Sequence, residues 1–541
     1  MTKKPSPLTI NEPLRHRDHS APLSRRDFLR QGFITGTGAI IGGGVFSLFS
    51  NPHTAYAAVS ADLDALATDI GCSLGGLSGP GKIPFICFDL AGGANLASSN
   101  VLVGQSGGQM DFLDTSGYSK MGLPGDMIPG LADTTVAATM LNGSDGNFTN
   151  SQLGLRFHSD SAMLKGILDK FTSVAPGLVD GAVIAARSDN DTGNNPHNPM
   201  YGIAKAGAQG GVVTLIGSQS SDSGGNSMSP ASLINPEIRP TKVDRPSDVT
   251  GMVDTGDLTA VLSDPADVTA VMESIARISH KKLSLGSVTP GINITQDDII
   301  KDLMRCGYLK AADIADRFAG VDVNPEKDAA IRGATGIFST TEFDNDSEFR
   351  KTASVMKMVI DGHAGAGSIT MGGYDYHTGD RQTGENRDLR AGRCIGACLQ
   401  YALIRNKPLM IYVFSDGSLS SNGALDNSSA VGSNELGGRG KGQWTSDNSS
   451  TACSFYLVIK PNSSISTYAN TGLIDYHQIG RFSADGSVIT SSSPAANNVN
   501  LLVNTVIANF MSINGDLGQF TTLFPNHGLG NIDNMISFGA F

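Results

Sequence analysis

The chain has 541 residues with 39 basic and 51 acidic side chains, a net charge of −12, and such a surface excludes nucleic acid and anionic lipid as natural partners. Its length exceeds one ordinary core, so one large α/β domain with insertions, or two domains, is expected. The 66 glycines and frequent Ser and Asn indicate many long loops. Six cysteines, at positions 72, 87, 306, 394, 398 and 453, include no CxxC pair, which leaves a zinc ribbon unsupported.

In chain order, the first 23 residues are polar and basic. Ser24-Arg25-Arg26-Asp27-Phe28-Leu29-Arg30 then resembles the twin-arginine (Tat) consensus S-R-R-x-F-L-K. A Gly-rich, mildly apolar stretch from Gly32 to Phe49 leads to Ala55-Tyr56-Ala57, a small-x-small cleavage pattern. Residues 1–57 are therefore expected to be a Tat signal peptide, recognised by the Tat translocase and cut after Ala57, with the mature chain periplasmic or secreted. The glycines of the apolar stretch argue against a retained anchor. The leader holds seven basic and three acidic residues, so cleavage leaves a net charge of −16. No later segment offers 18 continuous apolar residues, so no membrane span is expected after cleavage.

Short apolar runs then alternate with amphipathic stretches. The runs are 85–88, 183–186, 212–216, 368–371, 409–414 and 455–459; helical periodicity marks 162–171, 349–360, 389–403 and 499–511. This alternation predicts an α/β fold, a mostly parallel sheet flanked by helices. Residues 218–345 interrupt the rhythm with a Ser/Gly/Pro-rich loop and helices over 264–278 and 297–318, and are expected to form a helical insertion or cap on the 58–541 domain. Residues 417–450, rich in Ser, Asn and Gly, read as a long loop. Ala391, Cys394, Ile395, Cys398, Leu399, Ala402 and Leu403 form one apolar helical stripe, which assigns both cysteines to the core.

Ligands of parallel α/β sheets bind beyond the carboxyl ends of the strands, and here those ends are acidic. Run 85–88 leads into Asp89, run 368–371 into Asp375 and His377, and run 409–414 into Ser415 and Asp416. Asp375 and His377 lie two apart, so in an extended segment both face one ion. Asp375, His377, Asp416 and Asp89 are thus the expected ligands of a divalent metal, zinc, manganese or calcium, with Asp416 and Ser415 the candidate catalytic groups. Asn95, His197, His158 and His527 are supporting candidates. The alternative for each is ordinary structure: Asp after a strand makes turns and caps, and a lone His is most often a hydrogen-bonded structural residue.

Three of these segments also resemble a known family. Gly373-Tyr374-Asp375-Tyr376-His377 resembles its G-F-D-T-H motif, Ser415-Asp416-Gly417 its S-E-F-G motif, and Phe88 to Leu96 its opening F-L-x-G-G-x-D-G-L. The chain is similar, over roughly residues 84–530, to the Tat-exported domain-of-unknown-function family 1501 of the alkaline phosphatase and sulfatase superfamily. The resemblance implies an alkaline-phosphatase-like fold whose metals hold a phosphate or sulfate ester for attack by Ser, Thr or modified Cys. Three departures stand beside it: Asn95 replaces an Asp, Asn194-Asn195-Pro196-His197-Asn198 keeps a His without a hydroxyl, and Thr445-Ser446-Asp447-Asn448 lacks the His of a late D-H-G motif. A metal-dependent ester hydrolase with a partly degenerate site is one expectation; a non-catalytic binding or envelope-assembly protein of the same fold is the other.

Overall fold

The computed structural model of the chain describes residues 59–72, 81–134, 139–188, 195–253, 262, 264–285, 294–318 and 321–541. The leader with Arg25, Arg26 and Ala57 lies outside these residues, as does Asn194. The strands are β1 (Phe85–Leu90), β2 (Thr149–Leu153), β3 (Leu155–His158), β4 (Val179–Ala185), β5 (Val213–Gly217), β6 (Thr241–Lys242), β7 (Ala364–Met371), β8 (Leu409–Ser415), β9 (Leu419–Asp426), β10 (Lys441–Asp447), β11 (Cys453–Ile459) and β12 (Gln478–Ile479). The principal helices are α1 (Ala61–Asp69), α2 (Ala162–Lys170), α3 (Met200–Lys205), α4 (Pro246–Val253), α5 (Pro265–Ser284), α6 (Ile294–Arg317), α7 (Ser347–Ile360), α8 (Gln382–Ile404) and α9 (Val499–Ile513).

All six apolar runs enter one eight-stranded sheet, in the order β12-β4-β11-β8-β1-β7-β5-β6. β11 runs antiparallel to both β8 and β4, while every other pairing is parallel. The sheet is therefore mostly parallel, as expected of an alkaline-phosphatase-like α/β chain. Central strands such as β1 and β8 are buried along their whole length, which a sheet covered by helices on both faces requires. On one face Phe88, Ile369 and Val413 pack with Val355 and Val359 of α7 and Cys394 and Cys398 of α8. On the other, Phe85, Tyr412 and Tyr456 pack with Tyr201 of α3 and Val506 and Phe510 of α9. Side-chain caps start the helices: Ser161 accepts from the Leu164 amide at α2, and Asp346 from that of Glu348 at α7.

One segment departs from its sequence reading. The stretch read as a loop over 417–450 contains β9 and β10, which pair as an antiparallel hairpin. The 218–345 stretch adds β6 to the sheet edge beside β5, and its helices α5 and α6 enclose a separate core with α1 through Leu63, Ala67, Met272, Leu309 and Ala312. A disulfide between Cys72 and Cys306, 234 residues apart in sequence, closes that core. Among the described residues no helix is long and apolar enough to cross a membrane.

Candidate functional site

The register sets the site. Leu90 at the end of β1 pairs with Met371 of β7 and Ser415 of β8, so three strand ends finish level. Asp89 is fully buried. Its Oδ2 accepts from the amides of Asn226 and Ser227, both at 2.7 Å, and its Oδ1 from Ser227 Oγ at 3.2 Å. Burial pushes the Asp89 carboxyl up to about 7; the Ser227 amide opposes the rise and the nearby Asp416 charge adds to it. Asn226 also joins the two acids, because its Nδ2 donates to Asp416 Oδ2 at 3.1 Å. Asp416 Oδ1 accepts from the Gly92 amide at 2.8 Å. Ser415 Oγ donates to the Leu90 carbonyl at 2.6 Å and accepts from the Ala94 amide at 2.8 Å. The hydroxyl is thus held between two backbone groups of the β1 loop.

Gly92 brings that loop against the next one. With φ at +123°, an added Cβ would meet the Asp375 amide nitrogen at 2.6 Å, so only glycine permits the approach. Beyond it, Asp375 Oδ1 lies 2.8 Å from His377 Nε2, and Asp447 Oδ2, at the end of β10, lies 3.9 Å from the same nitrogen. One ligand atom from each of Asp375, His377 and Asp447 falls within 4.8 Å of the others, the convergence of ligand-type groups found among the described residues. The side chains stay accessible, at 67%, 36% and 50%. Two carboxylates and an imidazole suit zinc or manganese, with open positions left for water or a ligand. Asp375 and His377 meet as expected. Asp89 and Asp416 do not join them, and Asp447, which the sequence reading passed over, does. The signal for Asp447 was its retention in the Thr445–Asn448 segment.

The supporting candidates take structural positions. Asn95 is buried, its Nδ2 donating to the Leu419 carbonyl at 3.0 Å. His158 contacts the Met127 carbonyl through Nε2 at 2.8 Å and accepts from the Asp160 amide through Nδ1 at 3.0 Å, so both ring nitrogens are engaged. Burial lowers its pKa to about 4. His197 is buried against Phe414, with Nε2 2.9 Å from Ser188 Oγ, and burial lowers its pKa to about 3. His527 Nδ1 accepts from the Leu529 amide at 3.1 Å, near the C-terminus.

His477 sits between two carboxylates: Nδ1 is 3.0 Å from Asp475 Oδ1 and Nε2 is 3.1 Å from Asp180 Oδ1. Burial alone would lower its pKa, but the two carboxylates overcome that and raise it to about 9. A folded-state pKa above the unfolded value near 6.5 stabilises the fold fully below pH 6.5, and that stabilisation is lost as pH rises through 9. His477→Gln is expected to cost about 2–3 kcal/mol at pH 6 and much less at pH 10. Urea unfolding of both proteins across that range checks it; a cost independent of pH would refute the imidazolium clasp.

A cavity of about 640 Å³ lies beside β12, with Gln105, Asp475, Arg481 and Ser493 in its walls and none of Asp89, Asp375, His377, Ser415, Asp416 or Asp447 among its lining residues. Comparison with protein-family models, with curated proteins and with solved structures returns no match.

Proposed function

We propose that the chain is a Tat-exported, metal-dependent hydrolase of phosphate or sulfate esters, with Asp375, His377 and Asp447 holding a divalent cation. The observation that carries this reading is the meeting of Asp375 and His377 with Asp447 from a separate hairpin. When bound, such a cation supplies Lewis acidity toward an ester oxygen and lowers the pKa of coordinated water. The chain's own part is to place the ligands. Asp416, anchored to the Gly92 amide, supports the loop that carries Asp375. Residence outside the cytoplasm draws support from the Cys72–Cys306 disulfide, a bond that oxidising compartments maintain.

A second reading, a non-catalytic binding or envelope-assembly component, is favoured by Ser415. Ser415 is 3% exposed and its hydroxyl is hydrogen-bonded at both ends, an arrangement that disfavours nucleophilic attack. On the hydrolase reading, the ester is attacked by water and not by Ser415. A panel of phosphate and sulfate esters, run with zinc, manganese or calcium on the wild type, Ser415→Ala and Asp416→Asn, separates the readings. Expected are turnover without a covalent adduct and a loss of about 10- to 100-fold in Asp416→Asn, the scale for groups that support a metal ligand. A trapped adduct that Ser415→Ala abolishes would overturn direct hydrolysis, and silence of the metal-loaded wild type would favour the binding component.

A further inference from the structure

The arginines of α8 differ in one respect. Arg381, at the helix start, contacts Glu385 at 2.8 Å; Arg390 contacts Asp346 at 2.8 Å; Arg393 contacts Asp169 at 3.0 Å and also pairs with Glu435. Arg387 is on the same helix and partly buried. Its guanidinium has no ion-pair or hydrogen-bond partner among the described residues. A guanidinium carries five donors in a planar fork, and leaving it partly desolvated with no anion is unfavourable. Arg387 lies against the loop that carries the proposed metal ligands. Gly373, two residues before Asp375, has φ +88°, and a Cβ there would come within 2.8 Å of the Arg387 Cζ and 2.9 Å of its Nη2. Glycine at 373 therefore gives the guanidinium room to rest on the ligand loop. The Tyr374 hydroxyl, donating to the Arg387 carbonyl at 3.0 Å, ties the same loop to the same turn of the helix.

We infer that Arg387 is the anion-recognition residue of this site, pairing through its fork with the non-bridging oxygens of a tetrahedral oxyanion ester whose other oxygens face the cation held by Asp375, His377 and Asp447. This rests on the metal reading above and deepens it. Two carboxylates and one imidazole hold a divalent cation near neutrality, so the positive charge that selects an anionic substrate comes from Arg387. A planar fork matches phosphate or sulfate oxygens in a bidentate manner, which an ammonium cannot reproduce.

Equilibrium dialysis of the mature chain against inorganic phosphate, with and without Mn²⁺, tests the assignment. Arg387→Ala is expected to lower phosphate affinity about 10- to 100-fold, the range for hydrogen bonds to a charged group, while Mn²⁺ stoichiometry stays at the wild-type value. Arg387→Lys is expected to fall between the two, because it restores charge without the fork. Wild-type phosphate affinity in Arg387→Ala would overturn the assignment. Mn²⁺ uptake separates this failure from that of the metal reading. A wild type that takes up no Mn²⁺ refutes the metal site, and the Mn²⁺-free arm then decides Arg387: phosphate binding that Arg387→Ala removes supports it, and absence of binding overturns it.

Discussion

Lys441→Met is expected to lower the free energy of unfolding by about 3–5 kcal/mol, the cost of breaking a buried ion pair from one side. Lys441 is fully buried, with Nζ 2.8 Å from Glu385 Oε2 and 3.1 Å from Asp160 Oδ2. Glu385 also accepts from Arg381 Nε at 2.8 Å, and the Arg381 guanidinium stacks 4.4 Å from the Trp444 ring. Arg381 further donates to the Gly122 and Gly442 carbonyls and to Ser99 Oγ. The β9–β10 hairpin is thereby fastened to α8 by charges that water cannot screen. Arg381 and Arg439 remain against Glu385 and Asp160, but removing Lys441 takes away the buried donor to Glu385 Oε2 and to the Asp160 carbonyl. Lys242→Ala, which breaks an exposed pair with Asp244, is the control and should cost less than about 1 kcal/mol. Urea midpoints of the two variants measure the difference, and equal small shifts would show that the network adds nothing to stability. Because Lys441 opens the strand that ends at Asp447, its loss should also weaken any metal bound there.

The second large effect concerns that metal. Changing Asp375 and His377 together to Ala removes two of the three converging ligand groups and is expected to abolish stoichiometric binding. A ligand that binds only the folded state stabilises it by about 3 kcal/mol at a hundredfold excess over its Kd. Wild type should therefore melt higher with added Mn²⁺ or Zn²⁺ and lower in chelator, while the double variant should melt alike in both. Asp375 is exposed and His377 half-buried, so their removal leaves no enclosed cavity, and the metal-free wild type and variant should have similar stability. Equal metal response in wild type and variant would exclude these two residues as ligands.

The parts of this architecture that rest on local pattern were legible in the sequence. Six apolar runs became the main strands, and the 394/398 stripe placed both cysteines in the core, because period and burial are local properties. Asp375 and His377 were legible as a pair for the same reason, being two apart after a strand. What escaped reading depends on contacts between distant segments. The Ser, Asn and Gly of 417–450 have low strand propensity, and the hairpin there forms around buried Trp444, Leu419 and Lys441, whose partners come from elsewhere in the chain. Asp447 reaches His377 only through that hairpin. Asp89 and Asp416 were placed correctly at their strand ends, but no pattern marks the amides of Gly92, Asn226 and Ser227 that occupy their oxygens. The Cys72–Cys306 bond spans 234 residues, a distance over which spacing carries no signal.

On the proposed reading, the cation is held by the accessible trio that includes Asp447, and not by the buried acids at the ends of β1 and β8. Elemental analysis of the purified mature chain after exposure to Mn²⁺ or Zn²⁺ and gel filtration tests it most directly, with Asp447→Ala set against Asp89→Asn. About one equivalent of metal is expected in wild type and in Asp89→Asn, and none in Asp447→Ala. Metal retained by Asp447→Ala but lost from Asp89→Asn, or a wild type that retains none, would contradict it.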